Sequence, residues 1–193
     1  MRLMILERVD DGAGGYRGPD RPMPGYQELF PEDIEPDPVL KEGYDTLWLE
    51  YLTDLSMARA LLNAVRSTND RYELIEVVGQ GENPEVGSEF FGYDLMEEGG
   101  AHSLLDWYAL PEERAVGRGS EPPQPLEPLL RLLYRRYRPL LARHGLFQEL
   151  ASAIECLEIM EAVQNGCVMQ WEEGTGYEVV GVWAVRDDAA TGT

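Results

Sequence analysis

The sequence predicts an α+β fold, in which an antiparallel sheet packs with about three helices. Strand-like and helix-like segments come in runs, in the order strand, loop, helix, three strands, two helices and two strands. Such runs are typical of α+β proteins rather than of wound α/β sheets. The 193 residues are 44% hydrophobic, so the chain can bury a core without disulfides or a metal. We therefore expect a single domain over residues 1–193.

The N-terminal third is predicted to combine one strand, an irregular arm and one helix. Residues 1–9 form an apolar run that fits a strand, although a short helix also fits. Residues 10–45 are rich in Gly and Pro, which predicts an irregular arm that serves as a surface connection or as a binding lid. Residues 46–66 have a broad apolar face and predict a helix that Asp45 or Thr46 caps.

Three short apolar runs predict a central antiparallel meander. Residues 71–78 alternate apolar and polar side chains, and turns separate them from the runs at 88–96 and 101–109. Gly92 lies inside the second run, where it indicates a β-bulge or the close approach of another backbone. The third run is closely flanked by turns, which favours a strand, with a helical turn as the alternative.

The C-terminal third predicts two helices followed by a hairpin. Residues 126–143 are amphipathic, and we expect Pro139 to kink or end this helix. Residues 147–164 show a second helical period, which Asn165 and Gly166 terminate. The remaining segments are the two strands of a C-terminal hairpin and a loose tail, at 167–172, 177–185 and 186–193.

The net charge limits the partners of this chain. Its 36 acidic and 16 basic residues give a charge of -20 at pH 7, which repels phosphate backbones and anionic membrane surfaces. We therefore expect neither a nucleic-acid partner nor a membrane partner. The apolar stretches are shorter than the ~20 residues of a membrane span. The first stretch is also too short for a secretory signal, so we expect a cytoplasmic protein.

The inventory of catalytic residues is poor. His102, Ser103 and Asp106 are close in sequence, but no GxSxG motif surrounds the serine. The two His and two Cys do not have the spacing of a familiar zinc site, and we interpret Cys156 and Cys167 as buried thiols. We assign no catalytic residue and expect no metal, no cofactor and no enzymatic activity. The many paired carboxylates leave a carboxylate-dependent enzyme as an alternative.

One segment reverses the acidic charge. Residues 121–148 hold five Arg and two Glu, a net charge of +3, whereas residues 149–188 carry -8. On a helix, Arg131, Arg135 and Arg138 share one face. The favoured interpretation is that these arginines form salt bridges with the acidic flanks of the chain. The alternative is a docking stripe for phosphate or for an acidic protein.

Acidic residues beside Tyr and Trp are the leading functional signal. Tyr and Trp dominate the binding energy of protein interfaces, and fixed negative charge steers basic partners toward such surfaces. The alternative is that these aromatic side chains pack in the core or at a sheet edge. The predicted partner-binding residues are Glu97, Glu98, Asp106, Trp107, Tyr108, Trp171, Glu172 and Glu173.

Two stretches follow a pattern found in another group of proteins. A strand containing Glu76 and Val77 leads through a turn into a strand that reads Phe-Phe-Gly-Tyr-Asp at 90–94, and His-Ser-Leu-Leu-Asp-Trp follows at 102–107. This pattern resembles small immunity and immunity-like proteins of bacterial polymorphic-toxin systems. The resemblance implies an acidic, non-enzymatic protein that binds a cognate toxin at or beside its active site.

Charge, residue inventory and resemblance together predict the same kind of function. We expect an immunity-type inhibitor that neutralises a basic cognate toxin by occluding its active site. Two alternatives remain open. One is the carboxylate-dependent enzyme, and the other is a structural or adaptor subunit whose arm at 10–45 folds onto a neighbouring chain.

Overall fold

The structure, a computed structural model, has an antiparallel sheet packed with helices, which confirms the predicted α+β class. It describes residues 1–8, 16–17, 29–30, 37–47, 51–67, 72–97, 136–141, 145–166 and 176–186. Within these ranges the strands are β1 (Leu3–Arg8), β2 (Tyr16–Arg17), β3 (Tyr72–Gly79), β4 (Gly87–Glu97) and β5 (Tyr177–Val185). The helices are α1 (Pro38–Leu47), α2 (Leu55–Arg66) and α3 (Leu150–Gly166), with a 3-10 turn at Arg138–Leu140.

The order of strands in the sheet is β2-β1-β3-β5-β4, and all neighbours are antiparallel. The predicted meander is wrong on one point, because β3 and β4 are not neighbours and β5 lies between them. The side chains explain this order. β5 contains a run of buried residues from Val179 to Val182, which suits an interior strand, whereas β4 has two irregularities that suit an edge. The strand predicted at 101–109 lies outside the described residues.

Part of the segment predicted as an irregular arm is helical. α1 begins at Pro38, where the fixed φ of proline suits the first turn of a helix and its missing N–H is not needed. The side chain of Asp37 caps this end by accepting a 2.8 Å hydrogen bond from the amide of Val39. Within the same segment, Tyr16 pairs with Arg8 of β1. Proline therefore starts a helix here rather than excluding one.

Residues 46–66, predicted as a single helix, contain the end of α1 and all of α2, and residues 51–54 before α2 are not helical. Leu52 exchanges two backbone hydrogen bonds with Leu3 of β1, 2.8 and 3.0 Å long. α2 starts only after it, and its N-cap is Asp54, whose carboxylate accepts from the amide of Met57 at 2.8 Å. The prediction of a cap at 45 or 46 is therefore wrong. The pairing with β1 satisfies backbone groups that a continuous helix would otherwise bond internally.

Elements in the C-terminal third agree with the sequence where the structure describes them. α3 lies within three residues of its predicted bounds and ends at Gly166. Pro139 stands in the 3-10 turn, in agreement with the expected interruption. The chain then reverses through Gly145, whose φ is 70°, and Phe147 pairs with Leu141. The first strand of the predicted hairpin and the tail after Arg186 lie outside the described residues.

Two hydrophobic clusters cover one face of the sheet at opposite ends. In the first, α1 and α2 pack on Leu3 and its neighbours; in the second, α3 packs on Leu95 and Val179. The register places these side chains on one face, because Leu3 opposes Glu76, which opposes Trp183, and Trp183 shares its side of β5 with Val179. A central strip of this face therefore lies between the two helix-covered ends.

The opposite face of the sheet is also apolar and buried. Its buried side chains include Met4, Ile75, Val77, Val180 and Val182, which pack with Tyr51 and Leu146. Burial on both faces explains why Leu74 and Ile75, and again Val77 and Val78, are apolar at successive positions of β3. A search of the helices in the described ranges for one of sufficient length and apolar character to cross a bilayer finds none.

Candidate functional site

The structure describes one of the eight predicted partner-binding residues. Glu97 is the last residue of β4 and lies opposite Tyr177 of β5. The others lie outside the described residues, so their role stays a prediction. They are Glu98, Asp106, Trp107, Tyr108, Trp171, Glu172 and Glu173.

Three partly exposed aromatic side chains meet on the central strip, and we call Phe90, Tyr93 and Trp183 the aromatic cluster. The ring centroid of Phe90 lies 4.9 Å from that of Tyr93 and 5.0 Å from that of Trp183, with the ring planes inclined by 67° and 55°. Inclined rings at these separations are a favourable arrangement of aromatic pairs. Phe90 nevertheless keeps 37% of its surface accessible. The cluster is therefore a preformed apolar surface open to solvent.

A β-bulge brings Phe90 and Tyr93 to the same face of the sheet. Side chains three residues apart in a regular strand point to opposite faces, because successive side chains alternate. The register of β4 against β5 shifts between Phe90 and Gly92, so Phe91 is an extra residue on β4. This shift places the side chain of Tyr93 on the same face of the sheet as those of Phe90 and Trp183.

Glycine at position 92 is required by the backbone and by its neighbours. Its φ is 151°, a conformation that favours glycine, and a Cβ there would lie 2.7 Å from the carbonyl oxygen of Phe147. Phe147 and Tyr93 exchange backbone hydrogen bonds of 2.7 and 2.9 Å. The side-chain amide of Gln148 donates to the carbonyl of Phe91 at 2.8 Å. Both features predicted for Gly92, the bulge and the close approach, are confirmed.

A buried carboxylate holds the start of β4. Glu76 on β3 is 2% exposed, and it accepts hydrogen bonds from the consecutive amides of Glu85, Val86 and Gly87 at 2.9, 2.8 and 2.6 Å. Bonds of this kind to an ionised acceptor are roughly twice as strong as neutral ones. They offset the cost of removing the carboxylate from water and fix the position at which the chain enters β4.

Two glycines make room for the indole of Trp183. A Cβ at Gly181 would lie 3.1 Å from the indole nitrogen and 3.5 Å from Cε2 of Phe90. A Cβ at Gly87 would lie 2.5 Å from Cβ of Trp183 and 3.2 Å from Oε2 of Glu76. The carboxylate of Glu76 and the base of the indole therefore flank the same glycine. The negative charge lies directly beside the aromatic cluster.

The strands that carry the aromatic cluster contain no basic residue. The 42 residues between Arg71 and Arg114 include all of β3 and β4, and they hold eleven Asp or Glu and no Lys or Arg. β5 contains Glu178 and no basic residue, and the first basic residue after this strand is Arg186. Arg2, which pairs with Glu178, approaches the sheet at Gly79, on the face opposite the cluster.

The thiol of Cys156 is unsuited to catalysis. It is 2% exposed among the apolar side chains of α3 and its neighbours, and burial raises its pKa to about 12. The thiolate is the nucleophile and the metal ligand, and a thiol with this pKa stays protonated at neutral pH. Burial also raises the pKa of Tyr137, and the adjacent Cys156 and Glu155 raise it further. The prediction of a buried thiol is confirmed here, whereas Cys167 lies outside the described residues.

Arg136 is the member of the basic segment whose side chain the structure describes. It forms a salt bridge with Glu155 of α3, and its guanidinium carbon lies 5.5 Å from the ring centroid of Tyr137. At this position the structure therefore agrees with the interpretation that the arginines pair with acidic flanks. The side chains of Arg131, Arg135, Arg138 and Arg143 are not among those described.

No family model, curated protein or solved structure gives a significant match to this chain. Its function is therefore inferred from its own residues. Within the described ranges, no group of three or more His, Cys, Asp or Glu side chains is arranged to hold a metal ion.

Sequence reasoning missed the aromatic cluster as a site. The predicted partner-binding residues do not include Phe90, Tyr93 or Trp183. Two signals were present in the sequence. One is the absence of Lys and Arg from residue 72 to 113; the other is that a bulge at Gly92 would bring residues 90 and 93 to one face. The partnership of Phe90 with Trp183 depends on the order of strands, which the sequence did not reveal.

Proposed function

We propose that this chain is a non-enzymatic binding protein that holds a basic protein partner on the aromatic cluster. The observation that carries the proposal is the 37% exposed ring of Phe90, fixed between Tyr93 and Trp183 on strands without a basic residue. Aromatic side chains held in place bind with little loss of conformational entropy. The negative field of the surrounding strands accelerates and orients the approach of a basic partner.

In its finer form, the proposal is that the chain is an immunity-type inhibitor of a bacterial toxin. The resemblance at 72–96 and 102–107 supports this form, as does the charge of -20. A toxin that acts on a polyanion such as a nucleic acid has a basic active site. An acidic surface that covers this site excludes the substrate and neutralises the toxin.

Affinity capture with matched variants tests the binding proposal. The tagged chain is exposed to its own nuclease-treated lysate, and the resin is washed at about 50 mM or about 500 mM NaCl. We expect one basic protein that stays bound at the lower salt and is released at the higher salt, because salt screens the attraction. Phe90→Ala is expected to weaken binding of that protein about tenfold, by removal of the central ring.

The control is Val39→Ala, which truncates a 49% exposed apolar side chain on α1. It is expected to leave capture unchanged, and circular dichroism of both variants confirms that each is folded. Equal losses in the two variants, or capture indifferent to salt, contradict the proposal. For the inhibitor form, the captured protein is produced in a bacterial host. Growth is expected to recover when the wild-type chain is co-expressed and not when the Phe90→Ala variant is.

A further inference from the structure

We infer that the aromatic cluster seats an arginine side chain of the partner. The inference rests on the proposed function, because it specifies the chemical group that the basic partner inserts.

The charge beside the cluster is negative and buried. Glu76 is 2% exposed and lies next to the base of Trp183, on the other side of Gly87. The hydrogen bonds to its carboxylate come from three backbone amides, which stabilise the charge without neutralising it. Glu85, on the loop before β4, pairs with the amino terminus of Met1, and Glu82 lies beside Arg2 at Gly79, on the opposite face of the sheet. A cation over the rings therefore gains from the ring faces and from the carboxylate of Glu76 beside them.

Arginine already stacks on tyrosine at two other places in this protein. The guanidinium carbon of Arg2 lies 5.5 Å from the ring centroid of Tyr51, and that of Arg136 lies 5.5 Å from the ring centroid of Tyr137. Neither of these contacts involves the aromatic cluster. Since β4 and β5 contain no Lys or Arg, neither of the strands that form the cluster supplies such a cation.

The cluster suits a guanidinium better than an ammonium group. A guanidinium is planar and weakly hydrated, so it stacks on a ring while its N–H groups still reach acceptors at the edge. An ammonium group is compact and strongly hydrated, and it loses more solvation over an apolar surface. The exposed ring of Phe90, inclined to both of its neighbours, offers such a stacking surface, and the carboxylate of Glu76 lies beside the neighbouring Trp183.

Short labelled peptides test this inference directly. Three peptides share one sequence of alternating Gly and a variable residue, which is Arg in the first, Lys in the second and citrulline in the third. Citrulline keeps the planar shape without the charge. Fluorescence anisotropy at about 150 mM NaCl gives each dissociation constant for the full chain. We expect the Arg peptide to bind about threefold more tightly than the Lys peptide, and the citrulline peptide to bind least.

Variants of the full chain then assign that difference to the cluster. Phe90→Ala is expected to abolish the difference between Arg and Lys, and Phe90→Tyr to retain it, since an aromatic face is kept. Glu89→Gln is the control for bulk charge and should weaken the Arg and Lys peptides equally. The inference is overturned if wild-type protein binds Arg and Lys peptides equally or binds neither. It is also overturned if the difference survives in Phe90→Ala.

Partner capture and peptide binding together distinguish a failure of the proposed function from a failure of the arginine inference. Loss of partner capture in Phe90→Ala together with equal binding of Arg and Lys peptides overturns the arginine inference and leaves the binding function standing. The opposite outcome is that the preference for the Arg peptide depends on Phe90 while capture of the partner is unchanged in Phe90→Ala. That result supports the arginine site and overturns the proposed role of the cluster in holding the partner.

Discussion

β3 and β4 are consecutive in the chain, but they are built in opposite ways. β3 pairs on both edges in continuous register, and its side chains from Leu74 to Val78 are all buried. β4 pairs with one strand, its register shifts twice, and its outer edge contacts Phe147 and Gln148. The regular strand supplies core to both faces of the sheet, whereas the irregular strand presents an aromatic surface.

The difference shows how a strand near an edge acquires a binding surface. Each extra residue in β4 exchanges the faces of the side chains that follow it. The shift between Phe90 and Gly92 places Phe90 and Tyr93 on the same face, which a regular strand cannot do at that spacing. Backbone groups of β4 also bond outside the ladder with β5: Tyr93 bonds with Phe147, Phe91 with Gln148, and the amide of Gly87 with the carboxylate of Glu76.

The strongest way to disrupt β4 is Gly92→Ala. The added Cβ meets the carbonyl of Phe147 at 2.7 Å on a backbone that disfavours any side chain, so we expect a loss of about 3 kcal/mol in the free energy of unfolding. Gly81→Ala is the control, because φ is 84° there but nothing lies within 4 Å of the added atom. It should cost about 1 kcal/mol in urea unfolding. Equal losses would mean that φ, rather than the contact with Phe147, sets the requirement.

The link between β3 and β4 is tested by Glu76→Gln. Glutamine has one acceptor oxygen and an NH2 group that cannot accept, so at least one of the three amide bonds is lost and the ionic character disappears. We expect a loss of about 2 kcal/mol in the free energy of unfolding and faster hydrogen exchange at the amides of Glu85, Val86 and Gly87. Glu89→Gln, at an exposed position, should change stability by less than about 0.5 kcal/mol. Unchanged exchange at those amides would contradict the role given to Glu76.

The packing of α3 on β4, which buries Cys156, should contribute less to stability at alkaline pH. In the folded state, burial raises the pKa of Cys156 from 9.0 to about 12. As the pH rises, the unfolded chain releases its proton first. The contribution of the protonated Cys156 thiol to the free energy of unfolding is therefore complete below pH 9 and is lost as the pH rises toward 12. We expect a loss of about 1 kcal/mol from this thiol between about pH 9 and about pH 10.

Urea unfolding at several alkaline pH values measures that loss. Cys156→Ala is expected to give a shallower fall of unfolding free energy with pH, whatever its stability at neutral pH. Tyr137, whose pKa is also raised, continues the fall at higher pH in both proteins. Identical slopes in the two proteins would rule out the contribution of Cys156.

The smallest effect is expected on the exposed side of α3. Arg136 and Glu155 form a salt bridge, but their side chains are 58% and 49% exposed. Exposed ion pairs are screened by water and restrict two long side chains. A double-mutant cycle with Arg136→Ala and Glu155→Ala should therefore give a coupling energy below about 1 kcal/mol. A larger coupling would show that this pair helps to hold the segment before α3 against the helix.

Local patterns predicted the elements whose signals are complete within a few residues. The strands at β1, β3, β4 and β5 and the helix α3 were predicted within a few residues, because apolar periodicity and flanking turns are local features. The bulge at Gly92 was predicted from a single glycine inside an apolar run. The helix α1 was missed because proline was read as a breaker, although at the first position of a helix it is favourable.

Long-range contacts decided what the sequence left open. Leu52 leaves the helical pattern because Leu3 offers it backbone partners, and β5 lies between β3 and β4 although β3 and β4 are closer in sequence. The residues chosen as a binding surface followed adjacency in sequence, whereas the aromatic cluster joins residues 90 and 183.

By itself, the sequence determined the α+β class, the acidic character, the buried thiol at Cys156 and the irregularity at Gly92. These depend on composition, on periodicity and on the conformational freedom of one residue. Only the tertiary structure decided that Phe90 and Tyr93, brought to one face by the register shift in β4, lie beside Trp183 of β5. It also decided that the buried carboxylate of Glu76 on β3 lies next to Trp183. The physical reason is that strand order and register are set by the burial of whole faces of the sheet, which no short stretch of sequence contains.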